Sequence, residues 1–231
     1  MLGKLQITRL GIVILARNHN PSLLNPDFLK INGIVESDWE VTSPSFTTET
    51  LSQVIYKNGV RIIVQPDQIA FDQLIKDGYS EDKVLLQNVI LKYLDVLPHV
   101  NYQSIGINPL GHIIFETQED LDDYFSDYLL RPGDWKNFSG KQPSLSGKFT
   151  YTFEDHEINI LMEAVYITEK GNDDDDQQLG ILFKGNVNRD FELDMKPENK
   201  LKLLRERVSL WSEDVNLYIS LMNNCFLNQE D

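Results

Sequence analysis

Apolar and polar residues alternate in short runs along the first half of the chain, a pattern typical of strands with one buried face. Residues 5–15 are rich in β-branched and aliphatic side chains and predict the first strand. A short helix is expected at residues 28–31, because Pro26 suits the first turn of a helix and Gly33 suits its end. A short strand is expected next, at residues 39–42.

A hairpin is predicted where Asn58-Gly59 separates the apolar runs at residues 51–56 and 60–65. Asn-Gly is a strong signal for a two-residue β-turn, so both residues are expected to have positive φ. Ser80 is then expected to cap a long helix that Pro98 ends. The apolar stripe of that helix has three- and four-residue spacing and comprises Leu85, Leu86, Val89, Ile90, Tyr93, Leu94 and Leu97.

The second half of the chain repeats this order of elements. Residues 102–115 predict a strand that bends near Pro109, residues 121–130 predict a short helix, and Trp135 begins a short extended piece. Three further strands are expected, at residues 148–153, 158–167 and 179–187. Pro197 opens the last helix, whose apolar face consists of Leu201, Leu204, Val208, Trp211, Val215, Tyr218 and Met222.

Short motifs also recur between the two halves at a fixed offset of 96 residues. Asp27-Phe28-Leu29 matches Asp123-Tyr124-Phe125, and Asp38-Trp39 matches Asp134-Trp135. The chain has three tryptophans, and two of them fall on this offset. A duplicated unit is therefore predicted.

Each half reads as a strand, a short helix, three or four antiparallel strands and a long helix. Two such βα repeats, residues 1–98 and 99–231, joined edge to edge would form one curved antiparallel sheet with both long helices on one face. This α+β order of elements resembles the TATA-binding-protein fold over most of the chain. Neither the intercalating phenylalanine pairs nor the basic underside of that family is identifiable here. The alternative prediction is a helix-grip fold, in which one sheet wraps one long helix.

Composition narrows the classes of function. The 231 residues are 41% hydrophobic and 25% charged, as in ordinary globular proteins, but the net charge is -15. Lysine and arginine form no cluster, which argues against nucleic-acid binding, while an acidic surface favours a basic protein partner. The early apolar run at residues 10–16 is too short to span a bilayer, so a cytoplasmic location is expected. The single cysteine, Cys225, excludes an intrachain disulfide.

The sequence contains no nucleophile, phosphate-loop or zinc motif. His156 lies at a turn beside Asp155 and Glu157, but a metal site needs ligands from several elements, so a structural or exposed histidine is the interpretation. We therefore predict no catalytic residue, cofactor or metal site, and no enzymatic activity.

Three groups of residues are candidates for binding a partner. Trp39 and Trp135 are either core anchors of the two repeats or a pair of recognition aromatics. The acidic run Asp173, Asp174, Asp175 and Asp176 is expected to be a solvated hairpin loop that a basic partner or an ion could contact. Leu203, Leu210 and Leu217 lie beside the main stripe of the last helix and could form a partner or homodimer surface.

The leading hypothesis is a non-enzymatic, acidic, cytoplasmic protein that binds another protein, as an adaptor, inhibitor, immunity-type antidote or small chaperone. A second hypothesis is a small-molecule-binding protein or hydrolase that uses the sheet or the cleft between the repeats. A third is a DNA mimic that presents carboxylates to a basic nuclease. Carboxylates aligned on one exposed face would favour the mimic, and a deep apolar pocket would favour the small-molecule binder.

Overall fold

A computed structural model describes residues 3–42, 44–131, 133–137, 139–141, 143–168, 177–192 and 194–228. In this described part, nine strands form one sheet and five α-helices accompany it. The strands are β1 Gln6–Arg17, β2 Phe46–Thr47, β3 Ser52–Ile55, β4 Val60–Val64, β5 Gln68–Leu74, β6 Asn101–Ile114, β7 Ser146–Thr152, β8 Glu157–Thr168 and β9 Gln177–Asp190. The α-helices are α1 Pro26–Ile31, α2 Leu86–Val96, α3 Gln118–Asp123, α4 Pro197–Ser209 and α5 Trp211–Leu221.

The strands are arranged in the order β2-β3-β4-β5-β1-β6-β9-β8-β7, and every neighbouring pair is antiparallel. β1 and β6 lie side by side at the centre of the sheet. β5 flanks β1, and β9 flanks β6. The predicted α+β class with an antiparallel sheet is confirmed.

Burial alternates along the central strands, so one face of the sheet carries the core. Leu10, Ile12 and Ile14 of β1 are fully buried, whereas Val13 between them is half-buried and Leu15 is exposed. On the core face, Tyr218 of α5 packs over Gly185 of β9, where an added Cβ would come within 2.5 Å of the tyrosine ring. We call the other side of the sheet, with side chains such as Val13 and Leu15, the open face.

The helix predicted from Ser80 begins later than expected. Residues Glu81–Lys83 form a 3-10 turn, and α2 begins only at Leu86. Gln73 of β5 stabilises the break, because its side-chain amide donates to the carbonyl of Lys83 at 2.8 Å and accepts from the N–H of Leu85 at 2.8 Å. Beyond the break the predicted apolar stripe is buried as expected, apart from half-buried Leu85.

The last predicted helix is divided in two. Leu210 has φ -102° and ψ 14°, and it separates α4 from α5. Trp211, the first residue after the break, is buried, and its indole N–H donates to Gln87 of α2 at 3.0 Å. The break therefore directs a large aromatic ring towards α2, an arrangement that helical periodicity does not reveal.

The hairpin between β3 and β4 is confirmed, but its turn is not the predicted two-residue turn. The loop has three residues, since the Tyr56 N–H donates to Val60 at 2.8 Å and the Gly59 N–H donates to Tyr56 at 3.1 Å. Gly59 has φ +90°, whereas the φ of Asn58 is not positive. Asn58 instead accepts the Val60 N–H at 3.1 Å, so its side chain stabilises a turn closed by glycine.

Both segments that contain the offset tryptophans differ from prediction. Residues 39–42 were expected to be a strand, but Val41 makes only an isolated bridge to Tyr56. Trp39 follows a turn closed by its N–H bond to Glu36 at 3.2 Å, which leaves little extended chain for pairing. Around Trp135 the residues Asp134–Lys136 form a 3-10 turn rather than an extended piece, because the Lys136 N–H bonds to Gly133 at 3.1 Å.

A buried histidine connects the end of β1 to α2. The imidazole Nε2 of His19 lies 2.7 Å from the hydroxyl of Tyr93, and the two rings meet edge to face. Burial lowers the pKa of His19 to about 4, because a charged imidazole would lose its hydration there. His19 is thus neutral in the folded protein near pH 7.

Gly59→Val should lower the free energy of unfolding by about 1–2 kcal/mol, because a side chain at φ +90° is strained and its Cβ would lie 3.3 Å from Leu74. Urea denaturation checks this prediction. Asn58→Ala is the matched control in the same turn and should cost less, since it removes one part-buried hydrogen bond and introduces no backbone strain. An unchanged midpoint for Gly59→Val would contradict the turn geometry.

His19→Gln should flatten the dependence of stability on pH. As pH falls below 6.5, the unfolded chain takes up a proton at His19 before the folded protein does, so this histidine removes stability between pH 6.5 and about 4. The shift corresponds to about 3 kcal/mol. Urea denaturation of both proteins at pH 7 and pH 4.5 measures the difference. Parallel losses in the two proteins would show that His19 is not the group responsible.

Candidate functional site

A row of polar side chains crosses the open face of the sheet in register. On one side of the centre, Arg61 is paired with Asp72, and Asp72 is paired with Gly11. Gly11 is in turn paired with Asn108 across the central β1–β6 pair. On the other side, Asn186 is paired with Asn159, and Asn159 with Thr150. The row therefore extends over seven strands, from β4 to β7.

Hydrogen bonds connect the side chains in the second part of this row. Asn186 donates to the amide oxygen of Asn108 at 2.8 Å, and Asn159 donates to that of Asn186 at 3.5 Å. Thr150 completes the chain by donating to the amide oxygen of Asn159 at 2.8 Å. We call Asn108, Asn186, Asn159 and Thr150 the amide row.

Two glycines in the central strands allow these side chains to lie flat against the sheet. A Cβ added at Gly11 would come within 2.7 Å of the carboxylate Oδ1 of Asp72. A Cβ added at Gly106 would come within 2.8 Å of the amide nitrogen of Asn186. Any side chain at either position would displace the polar group that now covers the backbone.

The carboxylate in the row is already neutralised by its neighbour. The Arg61 guanidinium donates to Oδ2 of Asp72 through Nε at 3.0 Å and through Nη2 at 2.5 Å. Both side chains are partly buried, which strengthens this pair relative to a fully exposed one.

Three cationic side chains lie in the neighbouring row and line a cavity of about 380 Å³ with the three asparagines of the amide row. In the strand register, Arg9 lies opposite Leu110, and Leu110 lies opposite Lys184. Lys184 in turn lies opposite Leu161, which lies opposite Lys148 of β7. Arg9 is half-buried, and among the described residues neither it nor Lys148 has an ion-pair partner. Lys184 contacts Glu163 at 2.5 Å in an exposed pair. We call this space the open-face cavity.

A second polar cluster lies at the turn between β7 and β8. Arg189 contacts Asp214 of α5 at 2.6 Å and Asp155 of the turn at 2.6 Å. Arg189 and Asp214 are nearly buried, with 11% and 8% of their side chains exposed, whereas Asp155 is 58% exposed. The cluster fastens the turn to α5, and a cavity of about 430 Å³ lies beside it.

His156 belongs to this cluster. Its Nδ1 lies 2.7 Å from Asp155, its ring stacks on Phe153 with centroids 4.4 Å apart, and its buried Nε2 has no hydrogen-bond partner among the described residues. The hydrogen bond from His156, assisted by the charge of Arg189, lowers the pKa of Asp155. Serine, cysteine and lysine are absent from the described lining of this cavity, and the hydroxyl of Thr152, which does line it, donates to Glu157 at 3.4 Å and not to His156.

Among the predicted partner-binding side chains that the structure describes, Trp39 lies apart from the three leucines of the last helix. Trp39 is half-buried and packs edge to face on Tyr56, with ring centroids 5.2 Å apart. The backbone of Trp135 lies in its 3-10 turn, and its side chain is outside the described residues. The acidic run Asp173, Asp174, Asp175 and Asp176 is also outside the described residues.

The three leucines of the last helix occupy different settings. Leu203 of α4 is half-buried and lines the cavity beside His156. Leu210 is half-buried at the break between α4 and α5, and Leu217 of α5 is 41% exposed. The break interrupts the continuous helical strip on which the prediction of a homodimer surface depended.

Sequence reasoning missed the amide row and the cations beside it. The sequence pattern predicts strands at β6, β8 and β9 but does not indicate which of their polar side chains meet. Asparagine is depleted in strands, yet Asn108, Asn159, Asn186 and Asn188 all lie within them. That departure was the available signal, but the sequence does not show that three of these asparagines share one row.

Comparisons with known proteins identify no family for this chain. No protein-family model matches the sequence, and no curated protein matches it. The described residues contain no group of three or more His, Cys, Asp or Glu side chains placed to hold a metal ion. Within the same residues, no helix combines the length and the apolar character needed to cross a bilayer.

Asp214→Ala should lower the free energy of unfolding by about 3 kcal/mol, because it leaves the nearly buried Arg189 with only its exposed partner. Asp155→Ala removes a partner that is 58% exposed and should cost less than about 1 kcal/mol. Chemical denaturation of the two variants checks the ranking. Equal losses would mean that Arg189 is more hydrated than its burial indicates.

Proposed function

We propose that this protein is a non-enzymatic binding protein and that the open face of its sheet contacts a partner protein. The observation that carries the proposal is the mixed chemistry of that face. Exposed Leu15 and Leu74 lie on the same face as the polar row and the half-buried Leu110 and Leu161. A mixture of apolar and polar contact groups is typical of protein interfaces.

The dimensions of the open face favour a protein partner. Nine strands spaced about 4.8 Å apart give a sheet roughly 38 Å across. A standard interface covers about 800 Å² on each partner, which a face of this width supplies. Pockets for small molecules are usually enclosed, whereas the open-face cavity, lined by Leu110 and Leu161 as well as by cations and amides, is a shallow depression open to solvent.

We also propose that the two halves are copies of one unit, as the 96-residue offset suggests. The strand order supports this proposal, because β5-β1 and β9-β6 are arranged symmetrically about the central pair. The likeness to the TATA-binding-protein fold remains a proposal of the same kind. The two-residue strand β2 at the first half's edge has no counterpart among the described strands of the second half.

The alternatives receive less support from the geometry. A nucleophilic hydrolase needs serine, cysteine or threonine in its cavity, and the described lining of the open-face cavity has none of these residues. A DNA mimic needs carboxylates aligned on an exposed face, whereas the open face carries Arg9 and Lys184 near its centre and Lys148 on its edge strand β7. Small-molecule binding is the second candidate, because 380 Å³ falls within the usual size of ligand cavities.

Reversing the three open-face cations, with Arg9→Glu, Lys148→Glu and Lys184→Glu together, should strongly reduce capture of the partner from the native cell extract. The three glutamates would then repel any partner carboxylate that contacts the cations of the wild-type face. Quantitative mass spectrometry of proteins retained by each immobilised variant measures the effect. A partner should be retained by the wild type and reduced by about tenfold or more with the triple variant.

The matched control reverses three exposed lysines outside the sheet, with Lys76→Glu, Lys196→Glu and Lys202→Glu. This variant has the same net charge as the open-face variant, so it should retain the partner if position matters and not charge alone. The proposed surface would be contradicted if both variants lost the partner to the same extent, or if both retained it.

A further inference from the structure

We infer that the open-face cavity is a binding site for an oxyanion, a carboxylate or phosphate group carried by the protein's ligand. The inference rests on the proposed function, because it specifies the chemistry recognised at the centre of the same surface. It names Arg9 and Lys184 as the principal contacts and the amide row as the floor of the site.

The charge around the cavity is opposite to the charge of the whole protein. The chain carries -15, yet the described lining of the cavity contains Arg9, Lys148 and Lys184 against the single carboxylate of Asp72. Asp72 is bound by Arg61, and Glu163 pairs with Lys184, so Arg9 and Lys148 are the lining cations that have no ion-pair partner among the described residues. Over distances beyond about 10 Å salt screens the acidic remainder of the surface, so the nearby cations dominate the potential within the cavity.

Arg9 carries the strongest part of the argument. It is half-buried, and no described residue forms an ion pair with it. An incoming carboxylate or phosphate would give Arg9 charge-assisted hydrogen bonds that no described side chain supplies. The planar guanidinium can also bind a carboxylate or phosphate through two parallel hydrogen bonds.

Lys184 lies two strands from Arg9, separated only by Leu110 in the same cross-strand row. Strand spacing places their Cα atoms about 10 Å apart, so two long side chains can reach one group held above Leu110. The contact of Lys184 with Glu163 is exposed, and exposed pairs contribute little. Lys184 can therefore exchange that partner for a ligand at low cost.

The amide row defines what can accompany the anion. Asn159 and Asn186 each donate one side-chain N–H within the row, Asn108 donates one to the backbone carbonyl of Gly106, and each amide keeps a second N–H. Each amide oxygen accepts one hydrogen bond and keeps a second lone pair. The floor can therefore donate to and accept from hydroxyl or amide groups, such as those adjacent to a carboxylate in a peptide.

The anion has two possible sources, the acidic side chains of a partner protein and a free small anion. NMR titration of the isotope-labelled full chain separates them with two probes, sodium phosphate and a blocked pentaglutamate peptide, each at constant ionic strength. The side-chain amide signals of Asn108, Asn159 and Asn186 report on the site. Saturable shifts confined to these signals and the adjacent strands are expected with at least one probe.

Arg9→Gln and Lys184→Gln should each lower the affinity for the responding probe by about tenfold, as expected for loss of a charge-assisted hydrogen bond. Arg9→Lys should recover part of the affinity, and Lys202→Gln on α4 should leave it unchanged. Retention of the wild-type spectrum elsewhere shows that each variant is folded.

Saturation by phosphate alone indicates a free anion, and saturation by the peptide indicates an acidic partner segment; either result supports the site. Shifts that do not saturate, or that persist unchanged in both Arg9→Gln and Lys184→Gln, would overturn it. The titration needs no partner protein, so a failed capture experiment and a failed titration reject different claims.

Discussion

The pairing of β1 with β6 is the interaction on which the rest of the structure depends. It joins the first strand of the chain to a strand that begins at Asn101, and it makes one sheet of two groups of strands. Without this pair, both groups would expose a central edge with unpaired backbone groups. The same pair sets the register of both faces, because Ile12 meets Ile107 on the core side and Gly11 meets Asn108 on the open side.

The chemistry of the open face follows from that register. Since Gly11 and Gly106 have no side chains, Asp72 and Asn186 can lie over the central backbone, and the polar row continues across the junction. The adjacent row then holds Arg9 and Lys184 beside it. A group of cations and amides thus lies at the centre of a strongly acidic protein, which is why we assign binding to this face and not to the helices.

The sequence predicted most of the secondary structure because burial alternates regularly in the strands and the stripe of α2 has clear helical spacing. It failed where a single long-range contact decided the outcome. Gln73 delays the start of α2, and the break at Leu210 places Trp211 against Gln87. The sequence did not predict the candidate site for the same reason, because its asparagines are distant in sequence and lie together only when the strands pair in the observed order.

Lysine footprinting of the protein in its native extract, compared with the purified protein, tests the open-face assignment most directly. Acetylation by a soluble reagent, quantified by mass spectrometry, reports the accessibility of each lysine. The account predicts that Lys148 and Lys184 become several-fold less reactive in the extract, while Lys76 and Lys202 do not change. Protection of Lys202 with unaltered Lys148 and Lys184 would place the partner on the helices and contradict the account.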